Sequence, residues 1–300
     1  MTEPHFSVII TAYNRPELLV GAVKSVLGQT YPDFEIIVVD DGSEPPLEGV
    51  VVDFIEDERV RYVRIDNGGP GRARRLGAQR AHGRWLCFLD DDDYFLPHHL
   101  QTLAPHTGDE QQLITTQLRG ETDTGAIITS KISDPLTIRT FWQEPVGLPT
   151  FAIPRSAALR WPSSDAAIIE DFEWLNRLMI HLPCLVLPEV TMVFRQHSTN
   201  RTTQLAELEH LYQREDVINR LYRIEDIRRQ VPFSLYQDLL NHQQLHWVRQ
   251  ALRAGKLKAA ARGMQRASKT TSIRSWRQWL STAKVLVSQL FVRGFRLRKH

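Results

Sequence analysis

Phe34-Glu-Ile-Ile-Val-Val39 runs straight into Asp40-Asp41-Gly42-Ser43. A segment so continuous in Ile and Val reads as a strand buried on both faces, the habit of parallel sheets covered by helices. Its neighbours fit that reading. Upstream, Phe6-Ser-Val-Ile-Ile-Thr11 is rich in β-formers, and Pro16 opens a helical pattern with Leu18, Leu19, Ala22, Val23, Val26 and Leu27 on one side. Downstream, Val60-Arg-Tyr-Val-Arg-Ile65 alternates as a third strand, 71–82 reads as a helix, and Trp85-Leu-Cys-Phe-Leu89 as a fourth strand. Strand, helix, strand at this spacing predicts an α/β fold with right-handed crossovers, and ligands then sit beyond the carboxyl ends of the strands.

Three of the four strands end in residues that are poor strand formers. The first ends Thr11-Ala-Tyr-Asn-Arg15, the second Asp40-Asp-Gly-Ser43, the fourth Asp90-Asp-Asp-Asp93. Like charges ~4 Å apart repel by ~1 kcal/mol even in bulk water. A hard divalent cation relieves that repulsion, and an all-oxygen donor set selects Mg or Mn. The alternative is a solvated acidic turn; a run that tops a buried strand beside a second acidic strand end favours the metal. Gly68-Gly69-Pro70-Gly71 lacks the GxxxxGK[ST] pattern, so it is not a P-loop.

In order and spacing, Ser7-Val-Ile-Ile-Thr-Ala-Tyr-Asn-Arg15, Val38-Val-Asp-Asp-Gly-Ser43, Asn67-Gly-Gly through Ala73-Arg74, and Phe88-Leu-Asp-Asp-Asp-Asp93 resemble glycosyltransferase family 2. The resemblance is strong over 6–100 and continues more weakly to about 200. It implies a GT-A fold, Rossmann-like with a mainly parallel sheet flanked by helices. It also implies a nucleotide-diphosphate-sugar donor, most often UDP-linked, and transfer with inversion by a hexosyl- or N-acetylhexosaminyl-transferase. By the same resemblance Thr11, Tyr13 and Arg15 cradle the base, and Asp41 hydrogen-bonds it. Asp92 becomes the direct ligand of Mn or Mg, Asp90 and Asp91 lie near the ribose and diphosphate, and Arg74 lies on the phosphate side. One departure is Arg75, where the family commonly has Asn.

Transfer needs a base to deprotonate the acceptor hydroxyl. Ile169-Glu-Asp-Phe-Glu-Trp-Leu175 opens an amphipathic helix, and acids in a first turn ordinarily complement the helix dipole. The stretch nonetheless resembles the family's Glu-Asp motif, which makes Asp171 the base and Glu170 its neighbour in the acceptor site. Val193-Phe-Arg-Gln-His197 resembles the family's late aromatic-Arg-x-His element. There His197 is a candidate for the metal or diphosphate, and Arg195 for a phosphate or an acid. Trp142, Trp161 and Trp174 are candidates either for stacking on acceptor sugars or for the core.

Composition sets the outer bounds. Three hundred residues at 42% hydrophobic and 24% charged exclude a disordered chain and a disulfide-stapled miniprotein. Two cysteines, Cys87 and Cys184, read as small buried hydrophobes, and no apolar run approaches the roughly 20 residues of a membrane span. With no basic leader at the start, the expectation is a cytosolic chain. The net charge of +2 conceals an asymmetry: Asp238 is the last acid, and 239–300 carry 14 Lys and Arg. That leaves 23 bases against 35 acids in 1–238.

The sequence divides into a nucleotide-sugar-binding half (1–105), an acceptor-binding half (106–204) with a helix near 170–182, and a basic helical region (205–300). Helices are expected over 205–229, 234–254, 257–267 and 273–292. Between Ile273 and Val292 tryptophans share an apolar face with flanking bases, which suits either a helix in an anionic membrane interface or one packed on the catalytic body. Nucleic acid ranks last, since no recognition motif accompanies the charge. The expected function is therefore metal-dependent sugar transfer to a glycan or lipid-linked acceptor, in bacterial surface polysaccharide or lipopolysaccharide synthesis at the inner face of the membrane. The competing class is a non-catalytic nucleotide-sugar or glycan-binding module docked through its basic tail.

Overall fold

The computed structural model describes residues 3–122, 124–129, 131–165, 169–196, 208–253 and 255–268. Two units separate along the chain, Met1–His197 and Ser198–His300. In the first unit the elements run β1 (Phe6–Ala12), α1 (Pro16–Leu27), β2 (Phe34–Asp40), α2 (Glu48–Val51), β3 (Val60–Arg64), α3 (Pro70–Arg80), β4 (Trp85–Asp90), β5 (Tyr94–Phe95) and α4 (His99–Leu103). They continue with β6 (Leu113–Thr122), β7 (Ile127–Thr129), α5 (Ile138–Gln143), β8 (Phe151–Pro154), α6 (Arg155–Arg160), α7 (Glu170–Met179) and β9 (Cys184–Gln196).

Among the described residues nine strands form one sheet in the order β3-β2-β1-β4-β8-β6-β9-β5, with β7 pairing β6. β3, β2, β1 and β4 are parallel, while β8 runs antiparallel to both β4 and β6. Helices cover both faces of the parallel part. Val8 and Ile10 of β1 share a core with Leu19, Ala22, Val23 and Val26 of α1. Burying those four side chains contributes roughly 6 kcal/mol at the usual transfer energies. Pro16 at the first helical position presets the backbone for α1. On the other face α3 lies close to the sheet because Gly77 has no side chain: a Cβ there would meet Ile9 Cγ2 at 2.5 Å.

The stretch 106–204, irregular in sequence, supplies four of these strands, β6, β7, β8 and β9. Cys87 is fully buried in β4, as expected, but Cys184 at the start of β9 is only half-buried; neither forms a disulfide.

The described residues of the second unit are helical: α8 (Leu208–Arg223), α9 (Glu225–Gln230), α10 (Phe233–Arg253) and α11 (Leu257–Ala267). The single helix expected over 205–229 is broken at Ile224, whose backbone is extended (ψ 125°) before Glu225 and Asp226 restart the helix. Leu211, Trp247, Val248, Ala251, Leu252 and Ala260 form its core. Glu215 is held there by Gln244 Nε2 at 2.7 Å and Arg266 Nε at 2.5 Å. The helix expected over 273–292 lies outside the described residues. Among the described residues no helix is long and apolar enough to cross a membrane.

Candidate functional site

Because β2, β1 and β4 are neighbouring parallel strands, their polar ends lie side by side: Ala12 pairs with Asp40 and Thr11 with Asp90. The three motifs quoted above therefore lie together at the carboxyl ends of the parallel strands, the place where ligands bind in such sheets.

Asp90 to Asp93 turn back on themselves, the Asp93 amide donating to the Asp90 carbonyl at 3.2 Å. Only Asp90 keeps a partly open side chain; Asp91, Asp92 and Asp93 are buried. Two arginines answer the charge. Arg15 donates from Nη1 to Asp92 Oδ2, and its Nη2 lies 3.1 Å from Asp91 Oδ1 without the angle of a hydrogen bond. Arg74 donates from Nη2 to Asp90 Oδ1 at 2.7 Å. Thr11 Oγ1 and the Tyr13 amide donate to Asp90 and Asp91 at 3.4 and 3.3 Å, leaving the Tyr13 ring exposed.

Arg15, Arg74 and the nearby Arg195 do not neutralise the four acids together with Glu170. Burial, reinforced by Asp92 and Asp90 against the opposing Arg15, pushes the Asp91 carboxyl up to about 7. Burial with Asp90 and Asp92 holds Asp93 well above the ordinary range. Asp90, Asp92 and Asp93 each offer a carboxylate oxygen within 4.8 Å of the others. This crowded set of hard oxygen donors, with Asp91 and Asp93 raised first by burial and then by the neighbouring acids, fits Mg or Mn.

The second strand end serves its own loop. Asp40 is fully buried and accepts from the Ser43 and Leu47 amides and from Tyr62 Oη at 2.6 Å. Burial alone would raise its pKa, but these donors outweigh it and hold the carboxyl below its usual range. Asp41 accepts the Gly68 and Gly69 amides, one on each oxygen, at 2.8 Å. The carboxylate that the resemblance assigns to the base is thus also the clamp of the 67–69 loop. Gly42 has φ +76°, and a Cβ there would stand 2.6 Å from the Asn67 nitrogen.

The far wall comes from α7. Glu170 is buried and accepts Arg74 Nη1 at 3.0 Å, so one guanidinium bridges Asp90 and Glu170. Asp171 is half-buried, and its Oδ1 accepts the Phe172 amide at 2.8 Å. Ile169, just before them, adopts φ +51°. A β-branched residue in the left-handed region costs on the order of 1–3 kcal/mol and persists only where its surroundings enforce it.

Thr11, Tyr13, Arg15, Arg74, Asp90, Asp91 and Asp92 gather in one hydrogen-bonded network, with Glu170 joined through Arg74; Asp41 lies on the adjoining loop. Arg195 lies beside the acidic turn: its amide donates to Asp93 Oδ1 at 3.0 Å and its Nε to the Asp92 backbone carbonyl at 2.7 Å. His197 lies outside the described residues. Arg75, the departure from the family pattern, pairs with Asp165 at 2.6 Å. Trp142 and Trp174 are core residues, 1% exposed, donating to Asn176 and to the Trp161 carbonyl. Trp161 is half-buried and stacks on His181. Asp93 and its bond to Arg195 were not singled out from sequence; the run of four acids was visible, but not the return of β9 to meet it.

A protein-family model, Glycosyl transferase family 2, matches residues 7–159, just over half of the chain. The beta-1,3-glucosyltransferase of Campylobacter jejuni that acts on GalNAc(5)-diNAcBac-PP-undecaprenol is 40% identical over 103 residues, 33% of each chain. The succinoglycan biosynthesis protein ExoO of Rhizobium meliloti is 39% identical over 101 residues, 33% of this chain and 29% of that one. The chain therefore spans about a third of the length of these curated relatives. Among solved structures, S. aureus TarS 1-349 in complex with UDP-GlcNAc superposes with a TM-score of 0.63 at 16% identity, covering 92% of this chain and 79% of that one. The Pyrobaculum calidifontis mannosyltransferase PcManGT, in complex with GDP-Man and Mn2+, gives 0.61 at 15% identity, covering 97% and 87%. At such identities the structures establish the shared fold. The family model, matched over residues 7–159, establishes the lineage: the chain belongs to glycosyl transferase family 2.

Proposed function

We propose that the protein is a metal-dependent, inverting glycosyltransferase. It moves a sugar from a nucleotide-diphosphate donor, a UDP-sugar, to a hydroxyl of a glycan or lipid-linked acceptor in bacterial surface polysaccharide synthesis. The observation that carries this reading is the single guanidinium of Arg74, which hydrogen-bonds both the acidic turn at Asp90 and the start of the helix bearing Asp171. Donor chemistry and acceptor chemistry thereby meet around one buried cation. The relatives named for glucosyl transfer and succinoglycan synthesis, and the neighbours holding UDP-GlcNAc and GDP-Man, support the substrate class.

In this reading Thr11, Tyr13 and Arg15 receive the nucleotide, and Asp41 shapes the base pocket through the Gly68-Gly69 amides. Asp92, with Asp90 and Asp93 beside it and His197 as a further candidate, would hold Mn or Mg, which when bound supplies positive charge opposite the diphosphate. Asp171 takes the proton of the acceptor hydroxyl as that oxygen forms its bond to the anomeric carbon. The bond from that carbon to the diphosphate oxygen breaks on the opposite face, its electron pair leaving with the nucleoside diphosphate, so a single displacement inverts the centre. Glu170, fixed by Arg74, lines the acceptor side. The basic region then works at the anionic inner face of a membrane, where exposed bases such as Lys258 and Arg262 each contribute ~1 kcal/mol.

Asp171→Asn tests the assignment. UDP release from UDP-sugars should fall by roughly 10²–10⁴-fold while UDP binding stays within a factor of two. Turnover within fivefold of the parent removes Asp171 from the role.

A further inference from the structure

Arg74 stands where the acidic turn meets α7. It is 5% exposed, and both terminal nitrogens are engaged, Nη2 by Asp90 and Nη1 by Glu170. A planar fork holding two carboxylates from different elements acts as a spacer as much as a charge. The surrounding contacts clamp the same junction. Gly71, one helical turn earlier on α3, lets the chain approach so closely that a Cβ would meet the Ser164 carbonyl oxygen at 2.0 Å and Glu170 Cγ at 3.4 Å. Arg75 Nη1 holds Asp165 Oδ1 at 2.6 Å and the Ser163 carbonyl at 3.3 Å, and Ser164 Oγ donates to Glu173 Oε2 at 2.7 Å. Ile169, in the left-handed region, immediately precedes Glu170.

We infer that Arg74 is a positioning residue: it ties Asp90 on the donor side to Glu170, and so fixes where the first turn of α7 presents Asp171 to the acceptor. This inference rests on the reading of Asp171 as the base. It departs from a role for Arg74 in gripping the donor phosphates, because the guanidinium is buried and each terminal nitrogen already faces a carboxylate.

Arg74→Lys keeps the charge but not the fork, and Glu170→Gln keeps the shape but not the charge, so the two variants open the tie from opposite ends. If one fails to fold, the other still reads it. Hydrogen exchange at the Glu173–Leu175 amides should quicken about tenfold in either variant, with β2 amides unchanged, and the double variant should be no faster than the singles. With UDP-GlcNAc and UDP-glucose as probes, kcat for UDP release should fall about tenfold while the donor KM stays within twofold, an interaction loss of about 1.4 kcal/mol. A raised donor KM with unchanged α7 exchange would overturn the inference and return Arg74 to the phosphates. If the parent turns over neither probe, the proposed function fails, and the exchange measurement still decides the tie by itself.

Discussion

Replacing Gly42 by alanine attacks the nucleotide side of the site through the backbone. At φ +76° an alanine pays the left-handed cost of about 1 kcal/mol. Its Cβ would stand 2.6 Å from the Asn67 nitrogen and 3.1 Å from the Asn67 Cβ. Ordinary contacts begin near ~3.5 Å, so the 67–69 loop must retreat by roughly 0.9 Å. That movement stretches the two 2.8 Å bonds from Gly68 and Gly69 to Asp41 beyond useful length. Bonds to a charged acceptor are worth about 1.5–3 kcal/mol, and partial recovery by water leaves a total loss of about 2–4 kcal/mol. Gly21, by contrast, lies in α1 with nothing within 4 Å of a new Cβ, so Gly21→Ala should stabilise by about 0.5–1 kcal/mol. Urea unfolding followed by tryptophan fluorescence measures both, and UDP titration should show weakened binding in Gly42→Ala alone. The reasoning is refuted if Gly42→Ala lies within 0.5 kcal/mol of the parent, or if Gly21→Ala is equally destabilising.

Two further predictions concern pH and the sheet. Glu35 is 8% exposed at the opposite end of β2 and accepts Ser7 Oγ, the His82 amide and Arg61; burial opposes its charge, but these donors hold its pKa below the usual range. Its contribution is full above the unfolded carboxylate pKa near ~4.3 and fades as pH falls through the lower folded value. Glu35→Gln should therefore cost roughly 2 kcal/mol at pH 7 and progressively less toward pH 3, and a constant difference across that range would be the wrong result. His99 is fully buried against Phe95 and Thr191, and burial, with a smaller push from His98, holds it down to about 3. The neutral ring is favoured in the fold, so stability is intact above the unfolded value near ~6.5 and falls below it, by up to about 2 kcal/mol at pH 5. His99→Asn should flatten the stability profile between pH 7 and pH 5, read from denaturant midpoints; an unchanged slope assigns the acid sensitivity elsewhere.

The parallel half of the fold was legible because β1, β2 and β4 advertise themselves twice, by unbroken β-branched runs and by the polar residues that end them. The other half offered no such signal. β6 buries Thr115, Thr116 and Gln117 in succession, their polar atoms satisfied by Thr150, Thr191 and the Ile132 amide. A hydropathy pattern does not register a strand built that way. β9 contains Pro188 and pairs with β6 through register shifts around Gln117, which breaks the alternation a strand reading needs. The acidic turn was likewise plain in sequence, whereas its partners were not. Arg74 meets Glu170 across 96 positions and Arg195 meets Asp93 across 102, contacts that only chain topology creates. Asp41 shows the remaining gap: its carboxylate was assigned by resemblance to a ligand, and closure of the Gly68-Gly69 loop onto it depends on α3 starting where it does.

Calorimetric titration with UDP, GDP, CDP and dTDP, with and without Mn, on the parent and on Asp92→Ala bears most directly on sugar-nucleotide chemistry at the acidic turn. The expected result is one nucleotide, UDP, bound in an Mn-dependent manner, with the Mn dependence lost in Asp92→Ala. Absence of binding by every nucleotide under both conditions, or binding indifferent to Mn and to Asp92, contradicts the assignment of that turn.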